Sequence, residues 1–372
     1  MAERLRVGVI GCGVIAQVMH LHYLRELADR FEIAAICDLS AEVRAAVARD
    51  YAVPAQLETW EELVAQPLDA VLVLTSGSHA PQAIAAAKAG LHVLVEKPMS
   101  YSVAEGQAMI DAAQAAGVTL MVAYMKRYDP AYLRLMEEAR SLRDLRLVRI
   151  TTLESPIDPY VKHYELHRAS DVAPDVVERL TKDDEIRITA AIGEADPLSR
   201  RAYSHVLLLS LVHELNAMRG LFGEPDRLDY ADIRETGLTA AFNYGPVHCL
   251  IARVDLPGIA RYSMEFALYS PERRLVLAFP SPFLRSAPTI LTSETGSAGT
   301  AASSRTEEIT SYEEAFKREL IHFHECVTTG RQPVTSGVDS LRDIALCEAI
   351  VRVHSSRTPL ERPSDPAPVA AH

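Results

Sequence analysis

The 372-residue chain has little of several features that would mark particular classes of protein. Its five cysteines are scattered and form no CxxC pair, so the sequence predicts neither a disulfide framework nor a zinc knuckle. No apolar run is long enough to cross a bilayer. Basic residues are outnumbered, 38 against 50 acidic ones, and the net charge of −12 argues against a nucleic-acid binder, which needs a basic face.

The sequence also predicts no signal peptide at the start of the chain. Residues Met1 to Arg6 carry charges and lead directly into an apolar run, without the apolar core or cleavage site of a signal peptide. With 48% hydrophobic and 24% charged residues, the composition is that of a globular protein. The length favours two domains, and we expect a cytoplasmic location.

The first third of the chain alternates short apolar runs with alanine-rich helical stretches. These runs are continuous, as is typical of strands that are covered on both faces of a parallel sheet. Gly90 and Gly117 follow two of the helical stretches and can supply left-handed caps. The pattern predicts a doubly wound α/β, or Rossmann, domain of five or six strands over residues 1–124. The apolar runs are Arg6–Gly11, Glu32–Asp38, Asp69–Thr75, His92–Glu96 and Thr119–Tyr124.

The pattern changes after Tyr124. Residues 146–154 alternate in polarity, and several β-type segments separated by turn signals follow between residues 228 and 279. We therefore predict a second, α+β domain over residues 125–361, with a large open and mostly antiparallel sheet, and a disordered tail over 362–372. Residues 156–205 are polar and read as an insertion, either a lid or pocket wall or a surface segment that contacts another subunit.

A glycine turn joins the first predicted strand to the first helix, in the sequence Gly11-Cys12-Gly13-Val14-Ile15-Ala16. Gly11 permits the tight turn, Gly13 lets a pyrophosphate approach the backbone, and Ala16 allows close packing of the helix on the strand. The free amides at the helix start, beginning at Val14 and Ile15, can hold phosphates. The turn predicts a dinucleotide site, although similar turns also occur in α/β domains that bind nothing.

Asp38 strengthens this prediction. It closes the second apolar run, at the spacing where an acid accepts hydrogen bonds from the adenosine ribose. A carboxylate there repels a 2′-phosphate, and Leu39 and Ser40 follow it instead of an arginine, so the sequence favours NAD over NADP. Arg44, one helical turn later, keeps NADP open.

The fourth apolar run ends in Glu96-Lys97-Pro98. Ligands of doubly wound sheets bind beyond the carboxyl ends of the strands, so Lys97 is expected near the nicotinamide. A partly desolvated lysine has a lowered pKa, and its ammonium can stabilise the alkoxide that forms in a redox step. The alternative is an ordinary surface lysine.

In combination, these motifs resemble the Gfo/Idh/MocA oxidoreductases, named after glucose–fructose oxidoreductase, inositol dehydrogenase and a rhizopine-catabolism protein. The resemblance covers nearly the whole chain. It rests on the glycine turn, Thr75 with His79, Glu96-Lys97-Pro98, the segment Tyr124-Met125-Lys126-Arg127-Tyr128-Asp129-Pro130, His213-Glu214-Leu215-Asn216, and Gly220-Leu221-Phe222-Gly223-Glu224-Pro225.

The resemblance implies roles for particular residues. Lys97 would lie by the nicotinamide and substrate, and His213 would accept or donate a proton, with Thr75, His79 and Glu96 at the cofactor site. Candidates for lining the substrate cleft are Tyr124, Lys126, Arg127 and Asn216, joined by His167 and Arg168 if the insertion folds inward. Many members carry an acid four residues before this histidine, where this chain has Leu209. The spacing of His163 and His167 would suit a metal pair, but no further ligand completes it, so no metal site is predicted.

These observations predict an NAD-dependent oxidoreductase that transfers hydride between nicotinamide C4 and a secondary hydroxyl or ketone of a sugar, glycoside or cyclitol. One alternative keeps the redox cycle internal, as in NAD-dependent glycoside-cleaving or transhydrogenase enzymes. Another is a non-catalytic regulator that senses NAD or sugar, against which the presence of both Lys97 and His213 argues. The resemblance also implies a homodimer or homotetramer formed through the second sheet.

Overall fold

The computed structural model describes residues 4–357, so the tail predicted at 362–372 lies outside the described residues. The chain forms two sheets, each packed against helices. Within residues 4–357, no helix combines the length and apolarity needed to cross a membrane.

The first sheet has six parallel strands in the order β3-β2-β1-β4-β5-β6, which confirms the predicted doubly wound fold. Strand β4 is buried at every position, as expected for a strand covered on both faces. The short edge strand β3 was not predicted, because its three residues contain no apolar run. The strands are β1 (Leu5–Ile10), β2 (Phe31–Cys37), β3 (Ala55–Leu57), β4 (Ala70–Val73), β5 (His92–Glu96) and β6 (Leu120–Ala123).

Three of the helices between these strands begin with a capping side chain. Ser40 accepts a hydrogen bond from the Val43 amide at the start of α2, and Ser102 does the same for Glu105 in α5. A π-helical segment, Ala16–His20, precedes α1. The helices are α1 (Leu21–Glu26), α2 (Ala41–Tyr51), α3 (Trp60–Val64), α4 (Ala80–Lys88) and α5 (Val103–Ala116).

The second sheet has eight strands in the order β14-β13-β12-β11-β7-β10-β9-β8. Its neighbours pair antiparallel except β7 and β10, so the prediction of a mostly antiparallel sheet is confirmed. Strands β13 and β14 were not predicted, because β14 is polar and exposed along its whole length. The strands are β7 (Leu147–Glu154), β8 (Arg227–Arg234), β9 (Gly237–Tyr244), β10 (Val247–Asp255), β11 (Ser263–Tyr269), β12 (Arg273–Phe279), β13 (Ile290–Gly296) and β14 (Ser303–Ile309).

Helices pack on one face of the second sheet, and some of them also contact the first sheet. A 3-10 turn, Met125–Tyr128, links the two sheets, and a second π-helical segment, Ala202–Leu211, runs directly into α10. The helices are α6 (Pro130–Arg140), α7 (Asp158–Val161), α8 (Pro174–Ile192), α9 (Pro197–Arg201), α10 (Val212–Phe222), α11 (Ala315–Thr329) and α12 (Gly337–Ser355).

The last two helices contact the first sheet's half of the molecule, and α12 also packs along β8 of the second sheet. Phe316, Leu320 and Phe323 of α11 belong to the same buried cluster as β1 and α1. Helix α12 packs along α5, and just before it the Val122 amide of β6 donates to the Thr335 carbonyl over 2.9 Å. The cleft between the two sheets is therefore bordered by segments from both ends of the chain, and the predicted division at residue 124 stays a prediction.

Candidate active site

The glycine turn has the geometry that a dinucleotide needs. Gly11 has φ of +91°, and a Cβ there would lie 2.8 Å from the Thr75 amide nitrogen, so only glycine fits. Gly13 faces open space, with no atom within 4 Å of where its Cβ would be. Val14 and Ile15 are the half-buried first residues of the helical stretch, and Ala16 is fully buried. The turn therefore leaves its amides accessible to a phosphate group.

Asp38 lies beside this turn. Its Oδ2 accepts from the Cys12 amide over 2.7 Å, and its Oδ1 accepts from the Ser40 amide over 2.9 Å. A carboxylate has about four acceptor positions, so two stay available for ribose hydroxyls. Arg44 donates from Nη1 to the Asp38 backbone carbonyl over 2.6 Å. The residues present thus fit the adenosine half of a dinucleotide.

His20 and His79 form hydrogen bonds near the carboxyl ends of the strands, beside the glycine turn. His20 Nε2 bonds to Oε1 of the buried Glu96 over 2.8 Å, and the Glu96 Oε2 accepts from the Lys97 amide over 3.0 Å. Burial raises the pKa of Glu96, but the His20 bond and the Lys97 charge outweigh it and bring the pKa below its ordinary value. His79 is fully buried, and its ring nitrogens lie 2.6 Å from the Pro98 carbonyl and 2.9 Å from the Thr75 carbonyl. His79 thereby ties the loop after β4 to the loop that carries Lys97.

Lys97 reaches across to the second half of the molecule. Its Nζ donates to the backbone carbonyl of Leu209 over 2.9 Å. Leu209 lies in the π-helical segment that leads into the helix of His213, and π-helical turns often occur at functional sites. Burial lowers the pKa of Lys97, and Glu96, Glu154 and Glu214 oppose this effect. These three acids therefore favour the charged form of Lys97.

His213 lies on the first turn of α10. Its ring packs edge-to-face against Tyr124, with the ring centroids 5.9 Å apart. Burial lowers the pKa of His213 far below its ordinary value, and the charges of Lys126 and Lys97 add to this. Its Nδ1 is buried and has no hydrogen-bond partner among residues 4–357, and the same holds for the Tyr124 hydroxyl. The imidazole is thus neutral near pH 7 and available to take up a proton.

A buried lysine and two acids complete the cluster. Lys126 is 4% exposed, and its Nζ lies 5.2 Å from the ring centroid of Phe279 and 5.7 Å from that of Tyr262. Burial lowers the pKa of Lys126 to about 8, while Glu214 and Glu154 act to raise it. The fully buried Glu214 accepts from the Thr152 hydroxyl at Oε1. Burial raises the pKa of Glu214 to about 7, against the lowering effects of Thr152 and Lys126.

Glu154 and Glu214 supply the carboxylates near His213, whereas position 209 supplies none. Leu209 turns a 56% exposed side chain outward and contributes only its carbonyl. Glu154 ends β7 and accepts from the Ser210 hydroxyl over 2.9 Å, beside the same helical segment. The roles of Glu154 and Glu214 were missed from sequence. Only the fold could have indicated Glu154, because 59 positions separate it from His213 along the chain (213 − 154 = 59).

The insertion lies along the edge of the first sheet that carries the glycine turn. His167 contacts Asp50 over 2.7 Å, and its backbone pairs with the side chain of Gln17. Farther on, Arg187 of α8 pairs with Glu105 in the first turn of α5. Arg168 is exposed. The insertion therefore packs against the helical segment that follows the glycine turn, and its role as a pocket wall stays a prediction.

Arg127 and Asn216 belong to a buried network. Arg127 Nη1 donates to the Asn216 carbonyl over 3.3 Å, and Asn216 Nδ2 donates to Asp343 over 2.7 Å. Arg219 also bonds to Asp343, over 2.7 Å. Asn216 is fully buried, so its contacts hold α10 against α12, and they give no support to the prediction that it touches substrate. Within residues 4–357, no three His, Cys, Asp or Glu side chains are grouped so that they could hold a metal ion.

Comparisons with known proteins agree with this geometry. Residues 5–124 match the family model described as "Oxidoreductase family, NAD-binding Rossmann fold". D-apiose dehydrogenase of Paraburkholderia graminis is 27% identical over 363 residues, which cover 93% of this chain and 87% of that protein. D-xylose 1-dehydrogenase (NADP(+)) 2 of Haloferax volcanii is 39% identical over 126 residues, which are 33% of this chain and only 37% of that protein.

A solved structure shows the same fold over nearly the whole chain. The aldose-aldose oxidoreductase from Caulobacter crescentus, complexed with glycerol, superposes with a TM-score of 0.72 at 22% identity and covers 95% of this chain and 98% of that one. The family model matches the part of the chain that carries the glycine turn, Asp38 and Lys97, and the likeness of fold extends through the second sheet. Over residues 5–124, the chain is similar to the Gfo/Idh/MocA family of oxidoreductases.

Proposed function

We propose that the protein is an NAD-dependent dehydrogenase that acts on a secondary hydroxyl, or the matching ketone, of a sugar, glycoside or cyclitol. One observation carries the proposal: Lys97 Nζ donates to the Leu209 carbonyl, which brings the lysine of the first domain beside the helix of His213. A cationic donor and a neutral imidazole thus border one cleft, next to a turn suited to a dinucleotide. The likeness to D-apiose and D-xylose dehydrogenases supports the sugar class.

The chain's own groups can perform the proton chemistry of such an oxidation. When bound, the nicotinamide supplies the hydride acceptor at C4 or, in reverse, the donor. His213 is neutral and takes the proton from the substrate hydroxyl. Lys97 donates a hydrogen bond to the same oxygen and stabilises the negative charge that develops on it. Glu154 and Glu214 act to raise the pKa of Lys97 and so favour its charged form.

NAD is proposed over NADP. Asp38 places a carboxylate at the ribose position, where it would repel a 2′-phosphate. Arg44 is the nearest cation in sequence, and its Nη1 is bonded to the Asp38 carbonyl. Related enzymes include an NADP(+)-dependent one, so the preference is a property to be measured in this chain.

Two further features belong to the proposal. The insertion walls the cofactor cleft, which favours a glycoside or decorated sugar over a small polyol. The outer face of the second sheet exposes Leu250 and Val254 beside the ion pair of Arg149 with Glu265, and this supports pairing of copies into a homodimer or homotetramer. All five cysteines are buried and unpaired, which supports a reducing compartment such as the cytoplasm.

The substitution Lys97→Met tests the proposal. It keeps the length of the side chain and removes the charge, so we expect turnover to fall by about 100-fold or more while NAD affinity changes little. The measurement is absorbance at 340 nm with NAD and a panel of sugars, glycosides and inositols, alongside calorimetric titration of NAD. Lys88→Met is the matched control, because Lys88 is exposed at the end of α4 of the same domain and should leave turnover unchanged.

The outcomes separate the alternatives. Accumulating NADH supports net oxidation, and product without NADH supports an internal redox cycle. NAD binding without turnover on any substrate would support a regulator. Turnover at the wild-type level in Lys97→Met would refute the catalytic assignment.

A further inference from the structure

Part of the insertion crosses the entrance to the dinucleotide site. Gln17, on the π-helical segment after the glycine turn, is buried, and its side-chain amide holds this extended segment of the insertion. Its Nε2 donates to the His167 carbonyl over 2.9 Å, and its Oε1 accepts from the His167 amide over 2.9 Å. The same Nε2 donates to the carbonyl of Cys12 over 2.7 Å. The side chain of Gln17 therefore links the chain at residue 167 to the turn that would hold the phosphates.

Four residues later, at Asp171, this extended segment reaches the start of α2. The Ser40 hydroxyl donates to Oδ1 of Asp171, and the Glu42 amide donates to its Oδ2 over 3.1 Å. Ser40 is the N-cap of α2 and follows Asp38 by two positions, with its own amide bonded to the Asp38 carboxylate. Asp171 thus occupies hydrogen-bond donors at a helix N-terminus that adjoins the expected ribose site.

These donors are the kind that bind phosphate. A free helix N-terminus with a serine hydroxyl attracts an anion through its amides and its dipole. In this chain a carboxylate from the insertion already holds that position. Asp38 and the side chain of Glu42, which accepts from the Ser170 hydroxyl over 2.7 Å, add two more negative groups nearby. A 2′-phosphate would have to displace Asp171 and would meet three acids, whereas a 2′-hydroxyl needs only Asp38.

We propose that Asp171 is a specificity residue, which takes the place of a 2′-phosphate at the start of α2 and so selects NAD against NADP. The inference rests on the proposed dinucleotide site and adds a determinant outside the glycine fingerprint. The insertion would then have a second role, because the segment that borders the cleft also carries Asp171. Asp38 alone would repel a 2′-phosphate but would leave the α2 donors free to bind it.

The test compares binding of the two dinucleotides by isothermal titration calorimetry, without substrate. Asp171→Ala should bind NADP at least about fivefold more tightly than the wild type, with the NAD affinity changed by less than about twofold. Asp171→Asn removes only the charge and keeps one acceptor, so it should show a smaller gain. Asp175→Asn is the matched control, because Asp175 is an exposed acid of the same insertion in the first turn of α8. It should leave the ratio of the two affinities at the wild-type value.

Three outcomes would overturn the inference. An unchanged NADP affinity in Asp171→Ala would show that the carboxylate does not exclude the phosphate. Parallel changes in NAD and NADP affinity would show that Asp171 only fastens the insertion. A wild-type protein that prefers NADP would remove the premise. Because binding is measured without substrate, failure of the proposed dehydrogenase activity would leave this result readable.

Discussion

Buried charged side chains in the cleft shift one another's pKa values. Glu214 and Lys126 are both buried, and burial moves their pKa values toward each other, to about 7 and about 8. The pKa of Glu214 is raised from 4.5, so the folded protein holds a proton that the unfolded chain loses. The stability that Glu214 contributes is therefore greatest in acid and is lost as the pH rises from about 4.5 to 7.

The substitution Glu214→Gln tests this balance. Glutamine keeps an acceptor for the Thr152 hydroxyl and cannot ionise, so the variant should gain stability relative to wild type between pH 5 and 7.5, by up to about 3 kcal/mol. Thermal unfolding at several pH values measures the difference. Glu61→Gln, the same change at an exposed position, should show no such trend. A constant difference between variant and wild type across the range would contradict the assigned titration.

At the scale of elements, the π-helical segment before α10 brings its own backbone into contact with the side chain of Lys97. It places the Leu209 carbonyl at Lys97 Nζ and leaves the Leu209 side chain 56% exposed. His213 stands one turn later, and burial lowers its pKa, with a further lowering from the charges of Lys126 and Lys97. Position 209, where many members of the similar family carry an acid, therefore has space for a carboxylate.

Leu209→Asp should restore that acid and act on His213 by charge. A carboxylate one turn away favours the imidazolium, so the pKa of His213 should rise. Because the neutral ring is the proton acceptor, the acid limb of the kcat/KM profile should move up by about one pH unit. The control is Leu209→Asn, which matches the aspartate in size and lacks its charge. Identical profiles for the two variants would argue against His213 as the titrating base.

Elements with strong local patterns were the ones that sequence could predict. The buried strands β4 and β5 are continuous apolar runs, and β7 alternates as a half-covered strand does. Strand β14 could not be recognised, because its polar residues are held by pairing with β13 rather than by burial. In the site, Gly11, Asp38 and Lys97 stand at fixed places in a local motif. The contact of Asp171 with Ser40 joins residues 131 positions apart, and no local pattern encodes it.

At the scale of the whole molecule, the first sheet depends on the end of the chain. Helix α11 lies more than 180 residues beyond β6 (315 − 123 = 192), yet it covers the helices that follow the glycine turn. Phe323 is fully buried in that cluster, and the neighbouring His324 packs edge-to-face on Phe31 of β2 with ring centroids 5.5 Å apart. The packing of the half that carries the glycine turn therefore depends on residues far beyond position 124.

Phe323→Ala should show this dependence. Removing a fully buried phenylalanine leaves a cavity and should lower the free energy of unfolding by about 3 to 5 kcal/mol. Because α11 packs on α1 and the adjoining π-helical segment, the loss should also destabilise the glycine turn, and saturating NAD should restore part of the stability through binding to the folded state. Calorimetric unfolding with and without NAD measures both effects. Tyr312→Ala, at a side chain 64% exposed, should change the free energy of unfolding by less than about 0.5 kcal/mol. If Phe323→Ala lowered the stability of the second sheet alone, seen as a separate transition that NAD does not affect, α11 would belong energetically to the second domain only.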